Sequence, residues 1–156
     1  MDIELRNHLT TEGVNGYRLK EYGTLVMTSK NSEKYPMIKG GTKVQSGMAY
    51  GTDANGSFTD VVYETVDGRY RYTSVLVGLP AAQYKTEFTF RGYLILEKDG
   101  TEITLYGPPK SRSIYSLAEQ FIAKGTYEPG SSAYEFLTKL ITDADALEEK
   151  AATETE

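Results

Sequence analysis

The chain has 156 residues, 39% of them hydrophobic and 25% charged, which suits one soluble globular domain with a substantial core. The formal net charge is −5, and residues 142–156 account for all of it: Asp143, Asp145, Glu148, Glu149, Glu154 and Glu156 stand against Lys150 alone. A neutral body with an acidic tail offers no basic face to nucleic acid or to anionic membranes, and no apolar run is long enough to cross a bilayer.

Cysteine is absent, which removes disulfides, thiol catalysis and thiolate zinc sites. His8 is the single histidine, so one chain cannot build a site with several imidazole ligands. No metal or other cofactor is expected. Tryptophan is also absent, yet there are 13 tyrosines, a usage that leans toward extracellular β domains. Met1 leads straight into Asp2-Ile3-Glu4-Leu5, with neither a basic nor an apolar leader region. Either the chain stays inside the cell or it is the mature part of a longer one.

In chain order, Tyr17–Thr28 reads as a strand, and a short strand is expected over Lys43–Tyr50 within a glycine-rich stretch. Phe58–Val66 and Arg69–Leu79 flank Asp67-Gly68, and Thr86–Lys98 and Thr101–Tyr106 flank Asp99-Gly100. Both are hairpin signals, because Asp-Gly suits the left-handed positions of a type I′ turn. In the second hairpin Phe88, Phe90, Leu94 and Leu96 alternate with Thr89, Arg91, Tyr93 and Ile95, and the first set is expected to face the core.

The end of the chain turns helical. Ile114, Leu117, Ala118, Phe121 and Ile122 have the spacing of one buried helix face, with Ser111 or Ser113 as cap and Gly125 as stop. A second helix is predicted from Ser132, where Ser132 and Glu135 have capping-box spacing, with Ala133, Phe136, Leu137, Leu140 and Ile141 as its stripe. The expected fold is mainly β: an antiparallel, sandwich-like domain with one or two C-terminal helices, or an α+β arrangement. One domain is expected over residues 1–147, followed by a disordered acidic tail at 148–156.

Three segments carry a family resemblance: Glu21-Tyr22-Gly23-Thr24-Leu25-Val26, Glu87-Phe88-Thr89-Phe90-Arg91-Gly92-Tyr93-Leu94 and Ser111-Arg112-Ser113-Ile114-Tyr115-Ser116-Leu117-Ala118. Their order and spacing resemble a domain of large extracellular proteins of gut Firmicutes, often placed beside glycosidase, dockerin or surface-anchoring modules. The resemblance covers most of residues 3–125. It implies an accessory module with no established catalytic activity, displayed outside the cell, with Ile3-Glu4-Leu5-Arg6 as its first strand.

Catalytic readings find little to stand on. A serine triad would have to use His8, which has no nucleophile elbow nearby, and Asp60 with Glu64 would be a glycosidase pair lacking tryptophan platforms. Asp53-Ala54-Asn55-Gly56-Ser57 fails calcium-loop spacing, because Gly51 and Val62 fall where carboxylates are needed, so it reads as an Asx-Gly turn. Arg91 and Arg112 are expected to form structural ion pairs with Glu21 or Glu87 and tie helix to sheet.

The best binding candidates are Tyr63, Tyr70 and Tyr72 around the first hairpin. Tyr70 and Tyr72 would lie about 7 Å apart on one strand face, a spacing suited to two sugar rings or to plain cross-strand packing. The expected role is a non-catalytic spacer, assembly or adhesion module contacting protein or glycan at a cell surface. A weak carbohydrate-binding module and a phage or virion surface protein are the alternatives.

Overall fold

A computed structural model describes residues 1–153. The fold is mainly antiparallel β with helices at the C-terminal end, a β-rich α+β arrangement. By its contacts the chain divides into two compact units, where one domain is expected from sequence. The first holds Met1–Met27, Asn31–Val75 and Phe90–Lys110; the second holds Thr28–Lys30, Leu76–Thr89 and Ser111–Glu156.

The first unit opens with a helix, Ile3–Thr10 (α1), where the resemblance implies a strand. The reason is local: the Asp2 carboxylate accepts from the Leu5 amide at 3.0 Å, an N-cap that commits the following residues to helix. Three strands then follow in the chain, Arg18–Thr28 (β1), Gln45–Thr52 (β2) and Phe58–Asp60 (β3), with a single helical turn, Ser29–Ser32 (α2), after the first. The ribbon Glu64–Val66 (β4) and Arg69–Arg71 (β5) turns at Asp67-Gly68, whose φ values of 50° and 68° are those of a type I′ turn. The predicted strand Arg69–Leu79 therefore ends at Arg71, and Phe58–Val66 is broken into two pieces. Phe88–Lys98 (β6) and Thr101–Tyr106 (β7) form the second hairpin, with φ of 51° and 76° at Asp99 and Gly100.

The sheet runs β3-β2-β1-β6-β7, and the short strand Lys110–Arg112 (β8) pairs with β6 as its sixth member. The expected sandwich thus takes the form of one six-stranded sheet beside a separate two-stranded ribbon. Strand alternation sends successive side chains to opposite faces, and β6 feeds a different apolar cluster on each. Tyr93 and Ile95 pack with Leu25, Met27 and Met37. Leu94 and Leu96 pack with Leu9, Leu19, Tyr22 and Ala49. This corrects the expected facing: Tyr93 and Ile95 are the buried pair, whereas Phe88, Phe90, Leu94 and Leu96 are only half-buried.

The second unit is largely helical. In Ile114–Ala123 (α3) the Ser113 hydroxyl accepts from the Ser116 amide at 3.0 Å, and Gly125 adopts the left-handed stop at φ 60°. The last helix, Ser132–Thr153 (α4), is capped by Ser131 rather than Ser132: the Ser131 hydroxyl accepts from the Tyr134 amide at 3.3 Å. Leu140 and Ala144 are its buried residues, while Phe136 from the predicted stripe stays exposed. The helix continues through Glu148, Glu149 and Lys150, residues expected to be disordered, and the rest of the expected tail, 154–156, lies outside the described residues. Within this unit Lys85 bridges Asp145, at 2.6 Å, and Glu148. Thr89 and Ser111 share a side-chain hydrogen bond at 2.9 Å.

Candidate functional site

A cavity of about 360 Å³ opens in the first unit. Tyr22 of β1, Tyr70 of β5 and Tyr72 just beyond it line it with Met1, Leu94 and Leu105, and Gly92-Tyr93 and Tyr106-Gly107 complete the wall. Leu94 and Leu105 stand opposite each other in the β6–β7 register, so one cross-strand pair supplies the aliphatic side. The two glycines lie directly opposite, the Gly107 amide donating to the Gly92 carbonyl at 2.9 Å, and offer backbone where side chains would otherwise fill space.

The tyrosines are held by a chain of ring contacts. Tyr22 stacks on Tyr50 with centroids 5.4 Å apart and meets Tyr72 at 5.3 Å. Phe58 closes the row, edge-on to Tyr50 at 5.3 Å. The Tyr72 hydroxyl donates to the Gly23 carbonyl at 2.7 Å and lies 3.2 Å from the Thr24 hydroxyl. Gly23 is demanded by sterics: a Cβ there would sit 2.2 Å from the Gly47 carbonyl oxygen and 2.8 Å from the Tyr93 hydroxyl. The sheet register shifts between Tyr22 and Gly23, and this irregularity accompanies the close approach.

Arg6 stands behind the row. Its guanidinium lies 4.5 Å from the Tyr70 ring centroid and 5.3 Å from that of Tyr50, and donates to Asp60 at 2.5 Å. Burial alone would lower its proton affinity, but the hydrogen bonds to Asp60 and Tyr22 outweigh it and the net shift is upward. Its Nε is buried without a hydrogen-bond partner. Burial also raises the Tyr22 phenol, against the opposing pull of Arg6. Tyr93 is raised further, by burial first and then by the hydrogen bond it donates to the Glu21 carboxylate.

The residues singled out from sequence separate clearly. Tyr70 and Tyr72 line the cavity, while Tyr63 is 68% exposed and lies outside it. Tyr70 and Tyr72 are half-buried and do not make an open two-ring platform, since one ring carries Arg6 and the other leans on Tyr22. Glu64 and Arg71, candidate polar neighbours of such a platform, pair with each other at 2.5 Å.

The expected ion pairs of Arg91 and Arg112 do not form among the described residues. Arg91 donates to the carbonyls of Gly107 at 2.8 Å and Met37 at 3.1 Å and lies over the Tyr106 ring. A guanidinium fork on a strand is satisfied by nearby carbonyls without any carboxylate. Arg112 donates to the carbonyl of its neighbour Ser111. Glu21 takes Lys39 as its salt-bridge partner, and Glu87 contributes its carbonyl to the Ser29 amide.

Sequence reasoning missed Tyr22, Met1, Leu94, Leu105 and Arg6, although Tyr22-Gly23 lies inside a segment quoted for the resemblance. His8 is exposed and 3.6 Å from Glu12. Asp53 makes the expected Asx turn, accepting from the amides of Asn55 and Ser57 at 2.9 and 2.8 Å. No helix among the described residues is long and apolar enough to cross a membrane. Comparison with family models, curated proteins and solved structures gives no match.

Proposed function

We propose that this chain is a non-catalytic interaction module that receives a flat, weakly polar group in the cavity of Tyr22, Tyr70 and Tyr72. The lining carries this reading. Aromatic and aliphatic side chains surround a cavity with ample room for a ring-bearing group, and no charged side chain stands among the lining residues. Phenol rings bind such groups by stacking and edge contacts, and their hydroxyls add orientation. A surface-displayed setting fits the cysteine-free, tyrosine-rich composition and the family resemblance. In that setting the module would act in assembly or adhesion, gripping a partner's side chain or a glycan-linked aromatic group.

Phenyl β-glucoside, titrated beside phenol and glucose, tests the site. Its two halves separate an aromatic preference from a sugar preference. We expect saturable NMR shifts at Tyr22, Tyr72, Leu94 and Leu105 with the phenyl compounds, abolished in Tyr72→Ala. Shifts with glucose alone would favour the carbohydrate-binding alternative, and no response at these residues to any of the three would remove the site.

A further inference from the structure

We infer that β7 is a self-pairing edge, through which two copies of this chain join their sheets antiparallel. β7 is the last strand in the sheet order, and among the described residues it pairs only with β6. The two-residue turn makes Lys98 and Thr101 a hydrogen-bonded pair, and the Gly107-to-Gly92 bond lies in the same phase. Thr101, Ile103 and Leu105 therefore spend their backbone groups on β6, while the amides and carbonyls of Glu102, Thr104 and Tyr106 face outward.

Edge strands are ordinarily blunted by lysine, proline, a bulge or a covering element. Thr101–Tyr106 contains no lysine, no proline and no register shift toward β6, and Pro108-Pro109 comes only beyond its end. Its single charge, Glu102, is taken up by Lys20 at 2.5 Å. Ile103 and Leu105 remain 37% and 51% exposed on one face.

The occupant follows from the sequence of the edge itself. Laid antiparallel on a second copy with Thr104 opposite Thr104, each Ile103 meets Leu105 of the second copy, and each Glu102 meets Tyr106. No like charges oppose, the apolar pairs fall on one face, and the outward backbone groups are in phase to exchange hydrogen bonds. The unit that carries β7 holds twelve acidic and eleven basic side chains, so the edge is presented by a nearly neutral unit, and the chain's net charge of −5 comes mostly from the other unit.

Sedimentation velocity on the full chain, over a concentration series into the near-millimolar range, tests this. The parent's average mass should rise toward that of two chains. Thr104→Pro removes an outward amide that the β6 ladder does not use, and Ile103→Lys puts a charge on an exposed position. Each should remain a single chain at the same concentrations, with the parent's circular dichroism and thermal melt. A parent that stays single throughout overturns the proposal, as does a dimer that persists in both variants. A single-chain parent that instead binds an extended apolar peptide along β7, seen as amide shifts at Glu102, Thr104 and Tyr106, also overturns it by giving the edge to a foreign strand.

Discussion

Arg6, from the first helix, places its guanidinium carbon over the Tyr70 ring, 4.5 Å from the centroid, and donates to Asp60 from that position. The start of the chain and the β4–β5 ribbon are further joined by backbone hydrogen bonds, from Tyr70 to Met1 and from Ile3 to Gly68. Arg6→Lys keeps the charge but loses the planar fork and the stacking surface. We expect a cost of roughly 1–3 kcal/mol in urea unfolding, with altered NMR signals at Tyr70 and Tyr72. An unchanged midpoint would show that Arg6 does not hold the ribbon.

Gly23 is the position least able to accept a side chain. An alanine Cβ would overlap the Gly47 carbonyl, which is backbone and cannot swing aside. Gly23→Ala should cost about 1–3 kcal/mol or more and disturb the Tyr72-to-Gly23 hydrogen bond. Gly40→Ala probes a different cost, since nothing lies near its Cβ but its φ is +73°. Thermal unfolding of both should show whether crowding at Gly23 exceeds backbone strain at Gly40.

Core truncation tests which apolar residues of the sheet carry its stability. Leu25 is fully buried, whereas Phe90 is half-buried. Leu25→Ala should cost about 2–5 kcal/mol. Phe90→Ala should cost less, and the reverse order in chemical denaturation would overturn the assigned facing of β6.

Much of this was legible wherever the signal was local. Both Asp-Gly turns and the Ser113 cap form as their residues dictate, because a few neighbouring atoms decide them. The facing of β6 was not legible, since Phe88, Phe90, Leu94 and Leu96 alternate with the almost equally apolar Tyr93 and Ile95. The strand that the resemblance implies at Ile3-Glu4-Leu5-Arg6 gives way to a helix, because the Asp2 cap acts locally whatever a related sequence does there. Tyr70 and Tyr72 stood out through their spacing, but the cavity also needs Tyr22, Leu94 and Leu105, which only the sheet register brings near.

Alkaline pH should weaken the fold through Tyr93. Its folded-state proton affinity is raised, by burial and then by Glu21, so the unfolded chain releases the phenol proton first as pH rises. Stability from this group is intact below the ordinary tyrosine value of about 10 and falls above it. Urea midpoints at neutral and alkaline pH should show that fall, and Tyr93→Phe should make it shallower. An equal alkaline loss in the variant would exclude Tyr93 as its source.

Ending the chain after Leu147 removes Glu148 and its exposed bridge to Lys85 but leaves Asp145 in place. Exposed pairs of this kind contribute little, because solvent screens the charges and two long side chains must be ordered to hold them. The melting temperature should stay within a few degrees of the parent, and a large drop would show that the last helical turns carry packing energy.

The aromatic row of Phe58, Tyr50, Tyr22 and Tyr72 also sets the optics of this protein. With no indole to dominate emission or the near-ultraviolet circular dichroism, coupled phenol transitions supply the chiral signal. Three of the 13 tyrosines lie within one unit at close ring spacing, so part of that signal reports on the sheet beside the cavity without any attached dye. Side-chain order there becomes readable separately from the amide bands, which the helices share.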